Sequence, residues 1–388
     1  MLTRRLADSP TRFPTPLPYH GWQAMEPITH FLTGACIGRA GFNRKTACAT
    51  IVATLAAEAA DLDIFWGFAG PVDELKHHRG ITHTFVGAPF VALAMVALVG
   101  GIYTWRHRRT GSANAANSAL PLRWGWLCLT ALVAAFSHIL LDWTNNYGVR
   151  PFFPFNDRWY AGSFLFIAEP VLWGIFFLAL VLPWLFGLAD REIGARRTPF
   201  RGRNWAIFAL SASFILGCVR WAEHAHARAM FENEQVTTAP VLRMAFEPYP
   251  VNVCRWHAIV ETPRYYQTAE VNACSGSIDS DPQTDILYKP TDTPAVEAAK
   301  RTFLGRVYMD WGTWAVVRDM GHEPAPGIAP PVLPPQLTWT TVEFSDLRFA
   351  YSFRGGGSSR PPSALSGWVY IVDNRDDAGE SMGGREQK

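Results

Sequence analysis

The chain is poor in charge and lacks cysteine pairs at zinc-finger spacing, and each shortage narrows its class. Only 18% of the 388 residues are Asp, Glu, Lys or Arg, and the net charge is +2. Nucleic-acid binders carry a basic face or stripe. Here the basic residues sit in short loops between apolar runs, so no nucleic-acid partner is expected. The six cysteines include no C-x-x-C pair, which excludes a thiolate zinc module. Cys36, Cys48, Cys128 and Cys218 lie singly in apolar runs, where cysteine acts as a small hydrophobe. Cys254 and Cys274 are the remaining two, and would pair in an oxidising compartment. No internal repeat is evident. The first 24 residues have no apolar h-region and are not a secretory signal. Residues 1–24 are read as a disordered tail or a gene-model extension, with Met25 as the start of the patterned sequence.

What is abundant is apolar and aromatic: 49% hydrophobic residues, with 16 Trp and 25 Phe. Their distribution splits the chain. A bilayer core needs about 20 apolar residues in a helix. Five segments approach that, at 46–68, 85–105, 124–142, 164–188 and 205–221, and a shorter one covers 29–40. Five such runs in succession predict a multi-pass α-helical membrane domain of five to six transmembrane helices over residues 25–222. A soluble β-rich domain follows over 223–373, then a disordered tail over 374–388. The expected strands are at 255–263, 265–273, 303–311, 313–320, 338–353 and 366–373, each a β-branched or aromatic run between turn residues. A Pro-rich stretch at 322–336 is expected as an exposed connection.

The loops orient the spans. Arg106, Arg108, Arg109 and Arg123 lie in one loop, and Arg191, Arg196, Arg197, Arg201 and Arg203 in another two spans later. The alternate loops hold Lys76 with Arg79, and Arg150 with Arg158. By the positive-inside rule the richer loops face the cytoplasm. The 70–83 and 148–161 loops and the C-terminal domain then face outward.

Ionisable residues within apolar segments are expensive, and so are functional candidates by default. His30 opens the first segment. Glu58, Asp61 and Asp63 end the second, and His83 precedes the third. His138 and Asp142 end the fourth, and Glu169 opens the fifth. Successive spans run in opposite directions, so the positions from the second to the fifth segment gather at one membrane face, and His30 joins them if the first segment spans. His138 and Asp142, at i and i+4, project from the same side of a helix. In K-H-H-R-G-I-T-H, residues 76–83, Gly80 allows a turn that brings His78 toward His83. Taken singly, each is more often a helix cap or a snorkelling side chain. Together, His nitrogens and carboxylate oxygens without thiolate suit Zn²⁺, Mn²⁺ or Fe²⁺. His77 is not separable from His78 by spacing, and the pair His224/His226 reads as an exposed juxtamembrane feature.

These motifs, T-H-F-L-T-G from Thr29, D-L-D from Asp61, H-H-R-G-I-T-H-T from His77 and H-I-L-L-D-W-T-N-N-Y-G from His138, resemble the bacterial membrane-bound metal-dependent hydrolase family of YdjM-like inner-membrane proteins. The resemblance covers about residues 26–190. Ala60 and Thr84 depart from the Pro and Ser usual there, without removing a ligand. The resemblance implies a divalent metal, zinc foremost, in a bacterial inner membrane, and a hydrolase. Its likeness to zinc-dependent phospholipase C sites makes a phosphoester or lipid-linked ester the expected substrate. On this reading His30, Asp61, Asp63, His78, His83, His138 and Asp142 are ligands, with His78 alternatively a proton donor. Arg79 holds the substrate anion, and Glu169 or Glu58 serves as general base. The competing expectation is a non-enzymatic membrane protein, with a structural metal and an exported domain that binds a partner or senses a ligand. An ion transporter is the weakest of the three, because the residues gather at one face instead of lining a path.

Overall fold

A computed structural model describes residues 27–109, 120–194, 200–234, 236–281, 285–351 and 365–387. The expected leader lies outside the described residues, as do Arg196 and Arg197. Among the described residues, four helices are long and apolar enough to cross a membrane. They are α4 (Gly87–Arg109), α5 (Trp124–Thr144), α6 (Pro170–Glu192) and α7 (Arg203–Glu234). Large apolar side chains such as Phe90, Phe177, Trp184, Phe208 and Phe214 stand on their outer surfaces, as lipid-facing helices require.

Two of the segments expected to span, within a count of five to six, form shorter helices. Segment 29–40 forms α1 (Pro27–Ala40, 14 residues), about 21 Å long at 1.5 Å per residue. Segment 46–68 does not form one span: α2 (Ala49–Glu58) stops after 10 residues and a 3₁₀ stretch runs from Ala59 to Phe68. The break has a use. In an α-helix the two carboxylates of D-x-D point about 160° apart, and in a 3₁₀ helix about 120°. The tighter winding lets Asp61 and Asp63 both face inward.

α1 and α2 form a close hairpin made possible by two glycines one turn apart. A Cβ on Gly34 would lie 2.6 Å from the Ala53 carbonyl oxygen, and one on Gly38 2.5 Å from Thr50 Cα. This is small-residue packing of the kind that draws membrane helices together. The hairpin turn is fixed to the start of α5 by Ala47 N–H donating to Pro121 O (3.2 Å) and Arg123 N–H to Thr46 Oγ1 (2.8 Å). Both arms therefore open toward the end of the bundle where α5 finishes. There a short helix, α3 (Pro71–His77), and a 3₁₀ turn at Ile81–His83 lead into α4.

Helix α7 continues through the expected domain boundary at 222/223 to Glu234, and its last turns carry the first sheet. Phe231 packs with Phe246 and Trp256. That sheet is antiparallel, in the order β1 (Arg243–Pro248), β2 (Arg255–Glu261), β3 (Tyr265–Asn272), β4 (Ser277–Asp279), with β5 (Ile286–Tyr288) also on β3. Two helices follow, α8 (Pro294–Lys300) and α9 (Phe303–Trp311). The second antiparallel sheet contains β6 (Ala315–Asp319), β7 (Trp339–Asp346), β8 (Gly367–Val372), β9 (Asp376–Met382) and β10 (Arg385–Glu386), in the order β10-β9-β8-β7-β6.

Two further expectations fail. The segment 303–311, expected as a strand, is α9. Thr302 caps it by accepting from Gly305 N–H, and Leu304, Tyr308 and Trp311 bury at helical spacing. The segment 374–388, expected as a disordered tail, contains β9 and β10. Gly383 and Gly384, both at positive φ (56° and 74°), make the two-residue turn between them. The tail then docks on α3, where Gln387 donates to Asp73 (2.8 Å) and Arg385 pairs with Glu74 (2.7 Å).

Candidate metal centre

Five of the expected ligands converge. His30 comes from the first turn of α1, Asp61 from the 3₁₀ stretch, His83 from the turn before α4, and His138 and Asp142 from the last turns of α5. All five are buried. Their donor atoms form two overlapping triads, His30–His138–Asp142 and Asp61–His83–His138, each with all atoms within 4.8 Å of one another. His83 Nε2 lies 3.1 Å from Asp61 Oδ1 and 3.5 Å from Asp142 Oδ2. His138 Nε2 lies 3.4 Å and 3.3 Å from the same two carboxylates. His30 Nε2 lies 3.4 Å from Asp142 Oδ1, and its ring stacks on His138 at 3.8 Å.

The hydrogen bonding around these donors fits a cation. The Ala57 carbonyl can only accept, so His138 Nδ1, 2.6 Å away, carries the hydrogen and donates to it. In the neutral ring the His138 Nε2 lone pair then faces two carboxylates. His138 Nε2, Asp61 Oδ2 and Asp142 Oδ2 are buried without a hydrogen-bond partner. Acceptors facing acceptors in a buried site are costly unless a positive charge lies between them. Three imidazoles and two carboxylates suit a divalent ion of the zinc, manganese or iron type. A space of about 20 Å³ beside His30, Asp61 and Asp142 has room for roughly one water.

Asp63 and His78 lie outside both triads and form the next layer. Asp63 Oδ2 is 3.4 Å from His83 Nδ1 and accepts from the backbone N–H of Arg79 (2.8 Å), and its Oδ1 is 3.4 Å from His78 Nδ1. A carboxylate behind a histidine ring fixes the tautomer and aim of that ring. Arg79 is held at φ 52°, a left-handed conformation that few non-glycine residues adopt and that clusters at functional sites. It lets the N–H reach Asp63 while the side chain turns to Asp142.

The Arg79 guanidinium, expected to hold a substrate anion, has both terminal nitrogens bonded within the protein. Nη2 pairs with Asp142 Oδ1 at 2.6 Å, and Nη1 donates to Gly148 O (2.6 Å) and Asn145 Oδ1 (3.1 Å). The Tyr147 ring lies against it at 4.7 Å. Glu169, expected as a base, also has partners of its own. Its Oε2 pairs with Arg220 Nη2 at 2.6 Å, and its Oε1 accepts from Val251 N–H at 3.0 Å. Arg220 also donates to Asn252 O and Tyr249 O, so this pair ties the start of α6 to the first sheet. Glu58 closes α2 outside both triads. His77 stacks on Trp66 at 4.0 Å. His224 packs edge-on to Trp256, and His226 is exposed.

The sequence reading missed the residues that roof the centre. The Asn145–Gly148 turn, with Gly148 at φ 86°, supplies two of the Arg79 acceptors, Asn145 Oδ1 and Gly148 O. It is gripped in turn by Arg348, whose Nη1 donates to Asn146 O (3.0 Å) and Tyr147 O (3.3 Å), and by Tyr351, which accepts from Asn146 Nδ2 (2.9 Å). The run N-N-Y-G directly after the Asp142 helix was the signal for the turn. Nothing in sequence marks Arg348.

The chain is 25% identical over 171 residues to the protein YfhP of Bacillus subtilis (strain 168), itself described as uncharacterized. The match covers 42% of this chain and 47% of that relative, so the chain spans about half of the relative's length. No solved structure matches. The model of the YdjM inner membrane protein family matches residues 25–227, which contain every residue of both triads. That match takes in just over half of the chain, which therefore belongs to the YdjM inner membrane protein family.

Proposed function

We propose that this membrane protein is a metal-dependent hydrolase of phosphoesters or lipid-linked esters, with its site opening at the outer leaflet. The observation that carries the reading is the convergence of three imidazoles and two carboxylates with unpartnered buried donor atoms beside a water-sized space. His30, Asp61, His83, His138 and Asp142 would hold the ion. A divalent ion there supplies Lewis acidity, activating water and polarising the scissile group. Asp63 orients His83 and holds His78, and we assign the His78–Asp63 pair to proton transfer toward the leaving group. Arg79 offsets the charge of Asp142 and keeps that carboxylate aimed at the centre.

The topology belongs to the same proposal. The arginine-rich loops support a cytoplasmic opposite face. The Cys254–Cys274 disulfide supports an oxidising compartment for the sheets. A closed structural ion needs four protein ligands, whereas a catalytic one keeps a position open. The water-sized space beside the triads favours the second.

The test is elemental analysis of detergent-purified wild type beside His83→Ala and Asp142→Ala, followed by hydrolysis assays on phosphoester and lipid substrates. The expected result is stoichiometric zinc, manganese or iron, lost in both variants while each stays monodisperse. No metal in the wild type after reconstitution overturns the reading. Metal without any hydrolysis turns it to the non-enzymatic alternative.

A further inference from the structure

The water-sized space beside the triads is too small for any substrate, and both terminal nitrogens of Arg79 are already held by the protein. A far larger cavity, about 550 Å³, lies on the other side of Asp63. That volume falls within the range of about 300–1,000 Å³ typical of small-molecule sites. Its inner wall is Asp63, Gly80 and Thr82, directly behind His83, and its outer wall is α9.

Two chemistries line it. Trp159, Phe153, Phe303, Val307 and Trp311 give it an apolar body. Lys76, Arg150 and Arg306 give it three cations against the carboxylates of Asp63 and Asp310. Arg150 is more than nine-tenths buried, and its Nε has no partner. Its Nη1 pairs with Asp310 at 3.1 Å, and the Trp159 ring lies 4.5 Å from the guanidinium. Lys76 lies over the Phe303 ring at 5.3 Å. Cations held on aromatic faces around a largely apolar cavity match an anion that carries hydrocarbon.

The rim says where that hydrocarbon comes from. Trp66 and Ile81 line the cavity and are about half exposed, Phe68 is 78% exposed, and Phe155, two residues after the lining Phe153, is 85% exposed. Phe85 and Phe152 continue the patch with ring centroids 5.4 Å apart. Aromatic side chains collected where a helical bundle meets its extramembrane domain mark the headgroup level of a bilayer.

We propose that this cavity binds an anionic phospholipid, its phosphate met by Lys76, Arg150 and Arg306 and its chain leaving across Trp66 and Ile81 into the membrane. That this lipid is the substrate rests on the hydrolase reading. The binding does not, because the cavity shares no residue with the two triads.

The experiment is titration of the detergent-purified full chain with dihexanoyl phosphatidic acid, dihexanoyl phosphatidylcholine and inorganic phosphate, read by tryptophan fluorescence and calorimetry, with metal content measured in parallel. Phosphatidic acid is expected to bind at least tenfold more tightly than either of the others. The exposed double variant Lys76→Glu/Arg306→Glu is expected to lose at least tenfold of that affinity, and so is Val307→Trp, which fills the cavity. Both are expected to keep wild-type metal content. His83→Ala is expected to lose metal and still bind the lipid. Equal binding of phosphatidylcholine, tight binding of phosphate alone, or unchanged affinity in both cavity variants overturns the proposal. Lipid binding with no metal in the wild type leaves the cavity proposal standing and removes the hydrolase reading.

Discussion

Gly34→Ala adds one methyl group and tests whether the α1–α2 hairpin sets the geometry of the centre. The new Cβ would meet Ala53 O at 2.6 Å, Ala57 Cβ at 2.7 Å and Thr54 Cα at 2.9 Å, where ordinary contact begins at 3.4 Å. Two of the three neighbours are backbone atoms, so relief requires α1 to move off α2 by about 0.8 Å, at an overpacking cost of about 1–3 kcal/mol. His30 stands one turn before Gly34 on the same helix, and the Ala57 carbonyl that holds His138 belongs to the opposing helix. Ligand distances tolerate only about 0.2 Å, so a shift four times larger takes His30 out of reach. The expected outcome is a loss of metal affinity on the order of 10–100-fold, the range seen when the supports of a ligand are disturbed. Competition with a chelator on purified protein measures it. Gly101→Ala in α4, where a Cβ meets nothing within 4 Å, is the control and should retain full affinity. Wild-type metal affinity in Gly34→Ala would refute the argument that the glycines place His30.

Four other outcomes follow from the same structure. Arg79→Ala leaves Asp142 buried without its cation and should cost about 3–5 kcal/mol, seen as a lowered thermal midpoint that added zinc partly restores. Arg348→Ala removes the grip on Asn146 and Tyr147 and strips Asp346 of its paired cation. It should weaken metal binding without altering membrane insertion, measured by chelator competition and membrane fractionation. Burial pushes the Glu247 carboxyl up to about 8, so the folded state holds a proton that the unfolded chain releases near pH 4.5. Stability should therefore fall as pH rises from about 4.5 to 8 and level off above, while Glu247→Gln flattens that fall in a thermal-shift series. Alkylation of denatured protein without reductant should leave Cys254 and Cys274 unlabelled, and Cys254→Ser should cost about 3 kcal/mol.

The convergence of buried His and Asp residues was legible in the sequence, because an ionisable side chain in an apolar segment has few cheap explanations and the antiparallel order of the helices puts those positions at one end. The sequence did not make legible where the second apolar segment breaks. Composition treats 46–68 as one apolar run, whereas the break after Glu58 serves the side-chain directions of Asp61 and Asp63, which hydropathy does not see. Segment 303–311 misled for a related reason. Val307, Tyr308 and Trp311 favour strands by propensity, and the helical spacing of Leu304, Tyr308 and Trp311 prevailed because it buries one face against the second sheet. In 374–388 the charged run of β9 hid a hairpin that Gly383–Gly384 announced. The partners of Arg79 and Glu169 were beyond reach, since Asn145, Gly148, Arg220 and Val251 come together only through the fold.

Those partners bear on what the C-terminal domain is for. Were it a free binding module on a membrane anchor, its contacts with the bundle would be polar and dispensable. Instead Arg348, nearly fully buried, reaches across to the turn that holds Arg79, and Arg79 holds Asp142. On the other side Arg220 and Glu169 clasp residues 249–252 between α6, α7 and the first sheet. α9 closes the large cavity opposite Asp63. The domain thus supplies the roof of the centre and one wall of the cavity. A ligand that separated the sheets from the bundle would release the Asn145–Gly148 turn and, with it, the cation that aims Asp142. Loss of the domain should therefore abolish the site, even though the family match ends at residue 227 and every triad residue precedes it.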